Sequence, residues 1–119
     1  MAQPHDRPSA AELVTAVREF LERDILEAAE GRVRFHARVA INVLGMVERE
    51  LALGPTQAAA HAERLARLGV GGDAELTAAI RAGDLDDRAA EVRAALIEAV
   101  RDKLRVANPR YLEADPPSE

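Results

Sequence analysis

The sequence predicts an all-α protein, arranged as a single compact array of about five antiparallel helices with helices two and five central. Apolar residues recur at the i, i+3, i+4 spacing of a helix, and no segment alternates apolar and polar residues over the length of a strand. Alanine, the best helix former, is the commonest residue. Because the breaks between periodic segments are short, successive helices are expected to be antiparallel neighbours.

The first two predicted helices are delimited by a capping box and by glycine. Ser9-Ala10-Ala11-Glu12 has the capping-box spacing and predicts a helix that begins there and stops near Gly31. A second helix is predicted from about residue 32 to residue 53, where Gly54-Pro55 would close it. Its apolar arc is wider than the usual ~100° stripe, which indicates neighbours on more than one side.

Three further helices are predicted from turn and capping residues. Asp73 can cap the fourth helix, Gly83 can end it, and Asn108-Pro109 can end the fifth. The predicted bounds of these three helices are roughly 55–68, 73–83 and 84–107. The chain as a whole is predicted to comprise a flexible arm, a helical domain and a disordered acidic tail, with bounds 1–8, 9–111 and 112–119.

The composition excludes several classes of protein. The 119 residues include 21 acids and 16 bases, and the net charge of −5 disfavours binding to nucleic acid. The absence of cysteine excludes disulfides, thiolate metal sites and cysteine nucleophiles. No basic and apolar leader opens the sequence, and no apolar run approaches the ~20 residues of a membrane span. We therefore expect a cytoplasmic protein that does not associate with a membrane.

No metal or cofactor is expected. The glycine-rich segment 69–72 follows a helix and lacks the Lys-Ser/Thr pair of a phosphate loop, so a flexible connection is the favoured interpretation. The acidic segment 84–87 offers few ligands and lies where a helix N-terminus favours acids. His61 is interpreted as a surface histidine, because the paired cysteines of a zinc deaminase site are absent.

Three ionisable residues occupy positions that the helical pattern reserves for apolar side chains. On a regular 100° wheel, Asp24, His36 and Lys103 each fall within the apolar seam of their helix. Asp24 precedes Gly31 by seven residues and His36 follows it by five, so a hairpin would place the two at nearly the same level. They are candidates for a small acid–base or anion-binding pocket, or for a buried structural network in which Lys103 extends its ammonium to solvent.

A row of polar side chains marks a candidate interaction surface on helix two. Arg34, Arg38, Asn42 and Arg49 share one stripe, opposite the apolar centre of the helix. The stripe could bind an anion or a protein partner, or it could be a solvated face that pairs with acids of a neighbouring helix. Leu26 is predicted to point away from the core, and with the wide apolar arcs it suggests a possible homodimer.

Two sequence motifs resemble an uncharacterised family of small helical bacterial proteins. The resemblance extends from Asp6-Arg7-Pro8 to Tyr111, and it rests on two motifs: residues 34–40 (Arg-Phe-His-Ala-Arg-Val-Ala) with Asn42, and Lys103-Leu104 with Asn108-Pro109-Arg110-Tyr111. Members of that family stand alone or are joined to aminoglycoside-phosphotransferase-like proteins, and are encoded near acyl-CoA dehydrogenases. The resemblance implies an accessory role beside such an enzyme, and adds Arg110 and Tyr111 to the candidate interaction surface.

The chain lacks a kinase's own phosphate loop, His-Arg-Asp and Asp-Phe-Gly motifs, so it is not expected to be the phosphotransferase itself. The leading hypothesis is a non-catalytic accessory or interaction protein that partners a phosphotransferase-like or acyl-CoA-metabolising enzyme. The alternative is a small-molecule-binding protein or minor enzyme that uses Asp24, His36 and Lys103.

Overall fold

The computed structural model describes residues 7–113, and all regular secondary structure in that range is helical. The prediction of an all-α fold is confirmed. In chain order the α-helices are α1 (Ala10–Phe20), α2 (Leu26–Ala28), α3 (Gly31–Arg67), α4 (Asp73–Ala82), α5 (Ala89–Ala107) and α6 (Pro109–Glu113). A π-helical segment, Leu21–Ile25, joins α1 to α2, and a 3-10 turn, Asp86–Arg88, precedes α5.

Most of the predicted arm and tail lies outside the described residues. Residues 112 and 113, assigned to the disordered tail in the sequence prediction, instead complete α6. Proline is favoured at the first position of a helix, where no intrahelical partner is needed for its missing N–H, so Pro109 both ends α5 and begins α6.

The chain divides into two compact units, unit 1 (Met1–Ala52) and unit 2 (Leu53–Glu119), whereas the sequence predicts a single array. Helix α3 contributes to both units. In unit 1, the hydroxyl of Thr15 and the guanidinium of Arg18 contact Glu48, and Arg34 donates to the carbonyl of Leu26. Thr15 and Arg18, early in the first helical segment, thus contact a residue far along α3, and Leu26, near the end of that segment, contacts a residue near the start of α3. The two segments therefore form a helical hairpin.

Helix α1 begins with the predicted capping box. The Ser9 hydroxyl accepts a hydrogen bond from the Glu12 amide at 3.2 Å, and the Glu12 carboxylate accepts one from the Ser9 amide at 2.8 Å. Two of the amide groups that lack an intrahelical partner are thereby satisfied.

The sides assigned to Asp24 and Leu26 from the sequence are reversed. The sequence prediction grouped Asp24 with Leu13, Val17 and Phe20 and took that side of the helix as the inward one, but these three residues are each at least 51% exposed. Asp24 is exposed with them, whereas Leu26 is half-buried. Both assignments are wrong because the apolar seam taken for the core side lies at the surface.

Helix α3 continues for 37 residues through the Gly54-Pro55 break that was predicted to separate two helices. A proline in a helix removes one hydrogen bond and crowds the carbonyl four residues earlier, but its fixed φ is itself helical. The flanking turns are rich in good helix formers such as alanine, leucine and glutamate. Their propensity outweighs the defect, which lies close to the boundary between the two units.

We expect Pro55→Ala to stabilise the protein by about 1–2 kcal/mol. The interior proline costs about 3 kcal/mol in a helix, and its stiffening of the unfolded chain offsets part of that cost. Thermal unfolding followed by circular dichroism should show a rise of several degrees. Pro109→Ala is the matched control and should leave the melting temperature nearly unchanged, because Pro109 occupies a first helical position. Equal melting temperatures for the Pro55 variant and the parent would contradict this account.

Unit 2 contains a small apolar core. Helix α4 ends at Gly83, whose φ of 82° lies in the left-handed region that favours glycine, as the sequence predicts. The chain then turns back so that Leu85, which precedes the 3-10 turn, and α5 contribute to the core. The core consists of Leu65, Leu68, Leu76, Leu85 and Val92, each no more than 8% exposed. No helix of residues 7–113 combines the length and apolarity that crossing a bilayer requires.

Candidate functional site

The three ionisable residues proposed to face inward do not form a buried cluster. Asp24, His36 and Lys103 are all exposed, so the predicted burial of this network is wrong. Asp24 lies on the exposed side of its helix, as described above. Asp24 and His36 belong to unit 1 and Lys103 to unit 2. Neither the acid–base pocket nor the buried network therefore receives support from the position of these side chains.

The register of α3 explains the exposure of His36. The inward side of α3 in unit 1 includes Ala37, which is 6% exposed, and the half-buried Glu48. The sequence wheel instead oriented the helix by its valine seam and placed His36 inside with it. The His36 ring makes an edge-to-face contact with Phe35, with 5.5 Å between the ring centroids. Phe35 itself is 64% exposed, so this pair lies on the surface.

The arginine stripe of α3 is divided between structural and exposed residues. Arg34 is half-buried and donates to the Leu26 carbonyl near the end of α2, where helix carbonyls lack intrahelical partners. Arg49 is half-buried, and its charge contributes to lowering the pKa of Glu48. Arg38 and Asn42 are exposed. Only these last two remain on the open surface that the sequence proposed.

A polar cluster at the hairpin contact was not anticipated from the sequence. The Arg18 guanidinium donates through Nε to Glu48 Oε1, and the Thr15 hydroxyl donates to Glu48 Oε2 at 2.6 Å. Hydrogen bonds from Arg18 and then Thr15 lower the pKa of the Glu48 carboxyl, and the hydrogen bond to Glu48 raises the pKa of Arg18. Contacts between residues thirty or more positions apart leave no short-range pattern, so this cluster has no signal in the sequence. Its geometry is that of a structural clamp.

Unit 2 has a second polar cluster, built on α3, α4 and α5. Arg64 donates to Asp102 at 3.1 Å, and the His61 ring lies 2.9 Å from Asp73 through Nε2. His61 Nδ1 faces the Arg64 guanidinium, a group that only donates, at 3.5 Å. The neutral imidazole then carries its proton on Nε2 and donates it to Asp73. The Asp102 carbonyl accepts from Gln57 at 2.9 Å, so this cluster too ties helices together.

Large apolar side chains of both helical segments are exposed in unit 1. We call this set the unit 1 apolar surface. Each member is between 38% and 64% exposed. The members are Leu13, Val17, Phe20, Val33, Phe35, Val39, Val43, Met46, Val47 and Leu51.

A groove in unit 2 lies between α5 and α6, and we call it the α5–α6 groove. It has a volume of about 320 Å³. Arg93 and Arg101 line it together with six apolar or aromatic residues: Leu96, Ile97, Val100, Leu104, Tyr111 and Leu112. Of the residues that the sequence proposed for interaction, Tyr111 lies in this groove and Arg110 is exposed next to it in the chain.

Comparison with known proteins gives one match. The sequence model of a family described as a domain of unknown function, DUF6285, matches residues 27–111. This range includes both motifs on which the resemblance rests. No curated protein and no solved structure matches the chain. Within residues 7–113, no three histidine, aspartate or glutamate side chains are grouped as metal ligands would be.

Proposed function

Because the matched range covers more than half of the chain, the protein belongs to the DUF6285 family, and we propose that it is a non-catalytic accessory protein that binds a partner enzyme through the α5–α6 groove. The observation that carries the proposal is the open apolar groove between α5 and α6. Val100 and Tyr111, which line it, are 54% and 58% exposed. Apolar patches of this kind mark binding surfaces more often than ordinary solvent-facing surface.

The groove matches one mode of recognition. Its α5 residues recur at positions 93, 96, 97, 100, 101 and 104, which is one side of a helix over about 16 Å. Grooves of this form accept an amphipathic helix that inserts apolar side chains at i, i+3 or i+4, and i+7. Arg93 and Arg101 favour a partner helix with acidic residues beside its apolar side chains.

The identity of the partner rests on the family resemblance. A phosphotransferase-like enzyme is the first candidate, and an acyl-CoA dehydrogenase-like enzyme is the second. An accessory protein needs no catalytic group of its own, and the exposure of Asp24, His36 and Lys103 offers no support for the alternative of an enzyme that uses them.

The test is a titration of the labelled protein with each purified candidate enzyme from the same organism. We expect one of them to bind with a dissociation constant of about 10 μM or tighter, since modest interfaces assemble in that range. Val100→Glu should weaken binding at least about tenfold, because it places a charge in the apolar centre of the groove. Ala90→Glu adds the same charge to an exposed position of α5 outside the groove and should bind like the parent.

Two results would overturn the proposal. The first is the absence of binding to either enzyme at about 100 μM, a concentration at which even weak specific complexes form. The second is unchanged affinity in Val100→Glu. Circular dichroism of both variants establishes that they remain folded, so that a loss of binding reports on the groove.

A further inference from the structure

We infer that the unit 1 apolar surface is a self-association surface, on which a second copy of this chain packs its own hairpin to form a four-helix bundle. This inference goes beyond the proposed function and does not depend on it, because it concerns a different unit and a different occupant. The pattern of polarity in the hairpin is its starting point.

The hairpin is polar at its internal contact and apolar outside. Among the described residues of unit 1, Ala37 is the single buried residue. The contact between the segments is made by Thr15, Arg18 and Glu48 and by Arg34 with a carbonyl. A piece of chain this small buries little apolar surface to offset its conformational entropy. Covering the large apolar side chains that the helix pair exposes would add to its stability.

The exposed apolar residues are spaced as in a helix bundle. Leu13, Val17 and Phe20 on α1 are separated by four and three residues, and so are Val39, Val43 and Met46 on α3. Alternating steps of four and three produce a continuous seam along one side of a helix, the pattern that packs against other helices in bundles. Each helix of the hairpin thus carries its own seam.

The hairpin geometry also places apolar residues of both helices on one side. Arg18 and Glu48 face each other across the contact, and Val17 and Val47 immediately precede them. Two helices that run in opposite directions are related by a local two-fold axis perpendicular to both. A residue one position before a contact residue lies about 100° around its helix. Because the two-fold axis relates the two helices, the preceding residues of both helices lie on the same side of the pair. Val17 and Val47 contribute to a surface that spans the hairpin.

The exposed area is sufficient for a stable dimer. Each of the ten side chains has on the order of 100 Å² of apolar surface when fully exposed, so together they present roughly 500 Å². A standard interface buries about 800 Å² per partner, of which about 56–65% is apolar. The unit 1 apolar surface matches this requirement, and it lies within the range of about 300–600 Å² for the largest patch on a typical monomer, which is often functional.

The occupant that this apolar area fits is a second copy, because a two-fold dimer brings the same surface of each copy together. The basic side chains of α3 do not obstruct this approach, since Arg34, Arg38 and Arg49 share a stripe opposite the apolar centre of the helix. In this dimer the α1 seam of one copy packs against the α3 seam of the other, and it does so twice.

The test is sedimentation equilibrium of the full chain between 1 and about 100 μM. We expect the parent to be dimeric in this range. Val43→Glu should raise the dimer dissociation constant about 100-fold or more, since it buries a charge in the middle of the α3 seam. Val100→Glu, which adds the same charge to the unit 2 groove, should remain dimeric. This pair of variants also separates the two proposals, because each is expected to impair one interaction and leave the other intact.

A second measurement covers the case in which Val43→Glu unfolds unit 1. The chain contains no cysteine, so Val17→Cys and Val43→Cys each introduce a unique thiol. A mixture of the two should form disulfide-linked dimers on mild oxidation, and Thr77→Cys, on α4 in unit 2, should remain unlinked under the same conditions. A monomeric parent at about 100 μM would overturn the inference. So would a folded Val43→Glu variant that dimerises like the parent, or a failure of the Val17→Cys and Val43→Cys mixture to cross-link.

Discussion

Leu76→Ala is expected to destabilise unit 2 by about 2–5 kcal/mol, the range for removing a buried leucine side chain from a core. Leu76 is 5% exposed and belongs to a cluster with Leu65, Leu68, Leu85 and Val92. Five buried side chains are a small core, so the cavity left by one of them affects a large share of the packing. The expected loss is a sizeable fraction of the ~5–15 kcal/mol that stabilises an ordinary domain.

The measurement is urea denaturation followed by circular dichroism, combined with hydrogen exchange of the amides of α4 and α5. Leu96→Ala is the control, because Leu96 is also in unit 2 but is 44% exposed. Its cost should stay below about 1 kcal/mol. Similar losses for the two variants would mean that Leu76 is not part of a packed core. Exchange should accelerate in α4 and α5 and remain unchanged in α1, which belongs to unit 1.

The features predicted correctly from sequence are those determined by neighbouring residues. The capping box at Ser9 and Glu12 depends on a spacing of three residues, and it forms as predicted. Gly83 ends α4 because the left-handed conformation there favours a residue without a Cβ. The end of α5 at Ala107 follows from the proline two residues later. Each signal is complete within one or two turns of chain.

The features that the sequence analysis missed are those in which a signal from adjacent residues is overridden by structure elsewhere in the chain. Gly54-Pro55 is a strong helix-breaking signal, but the helical turns on either side of it continue through the defect. The side of α1 that faces α3 is set by contacts with residues thirty or more positions away, and it includes Arg18 rather than the apolar seam. Asp24 and Leu26 were therefore placed on the wrong sides.

The candidate site was least accessible to sequence reasoning. Apolar periodicity predicts that one side of a helix will be buried, but it does not identify what buries it. The same valines can face an internal core or another molecule. The sequence interpretation assigned the valine seam of α3 to the core and placed His36 with it. The internal contact is made instead by Ala37 and by the Glu48 cluster. Polar contacts across a hairpin depend on register, which no local pattern specifies.

The Glu48 cluster leads to the second large effect, a dependence of unit 1 stability on acid pH. Hydrogen bonds from Arg18 and Thr15 lower the pKa of Glu48 in the folded protein below the ordinary value of 4.5 for a glutamate. A carboxyl group whose folded pKa is lowered binds fewer protons when folded than when unfolded. Its contribution to stability is therefore fully present above the unfolded pKa and is lost as the pH falls through the folded pKa. We expect unit 1 to weaken below about pH 4.5 for this reason.

Glu48→Ala should cost about 1.5–3 kcal/mol at neutral pH, because it removes hydrogen bonds to a charged group and leaves the half-buried Arg18 guanidinium without its main partner. Glu48→Gln should abolish the acid-dependent component, and Arg18→Met should reduce it, because the Thr15 hydroxyl still donates to Glu48. Glu63→Gln, at a side chain that is 72% exposed, should retain it. Hydrogen exchange in α1 between pH 3 and 7, corrected for intrinsic exchange, measures the effect. If the parent and Glu48→Gln lost protection in parallel on acidification, another carboxyl group would be responsible and Glu48 would not clamp the hairpin.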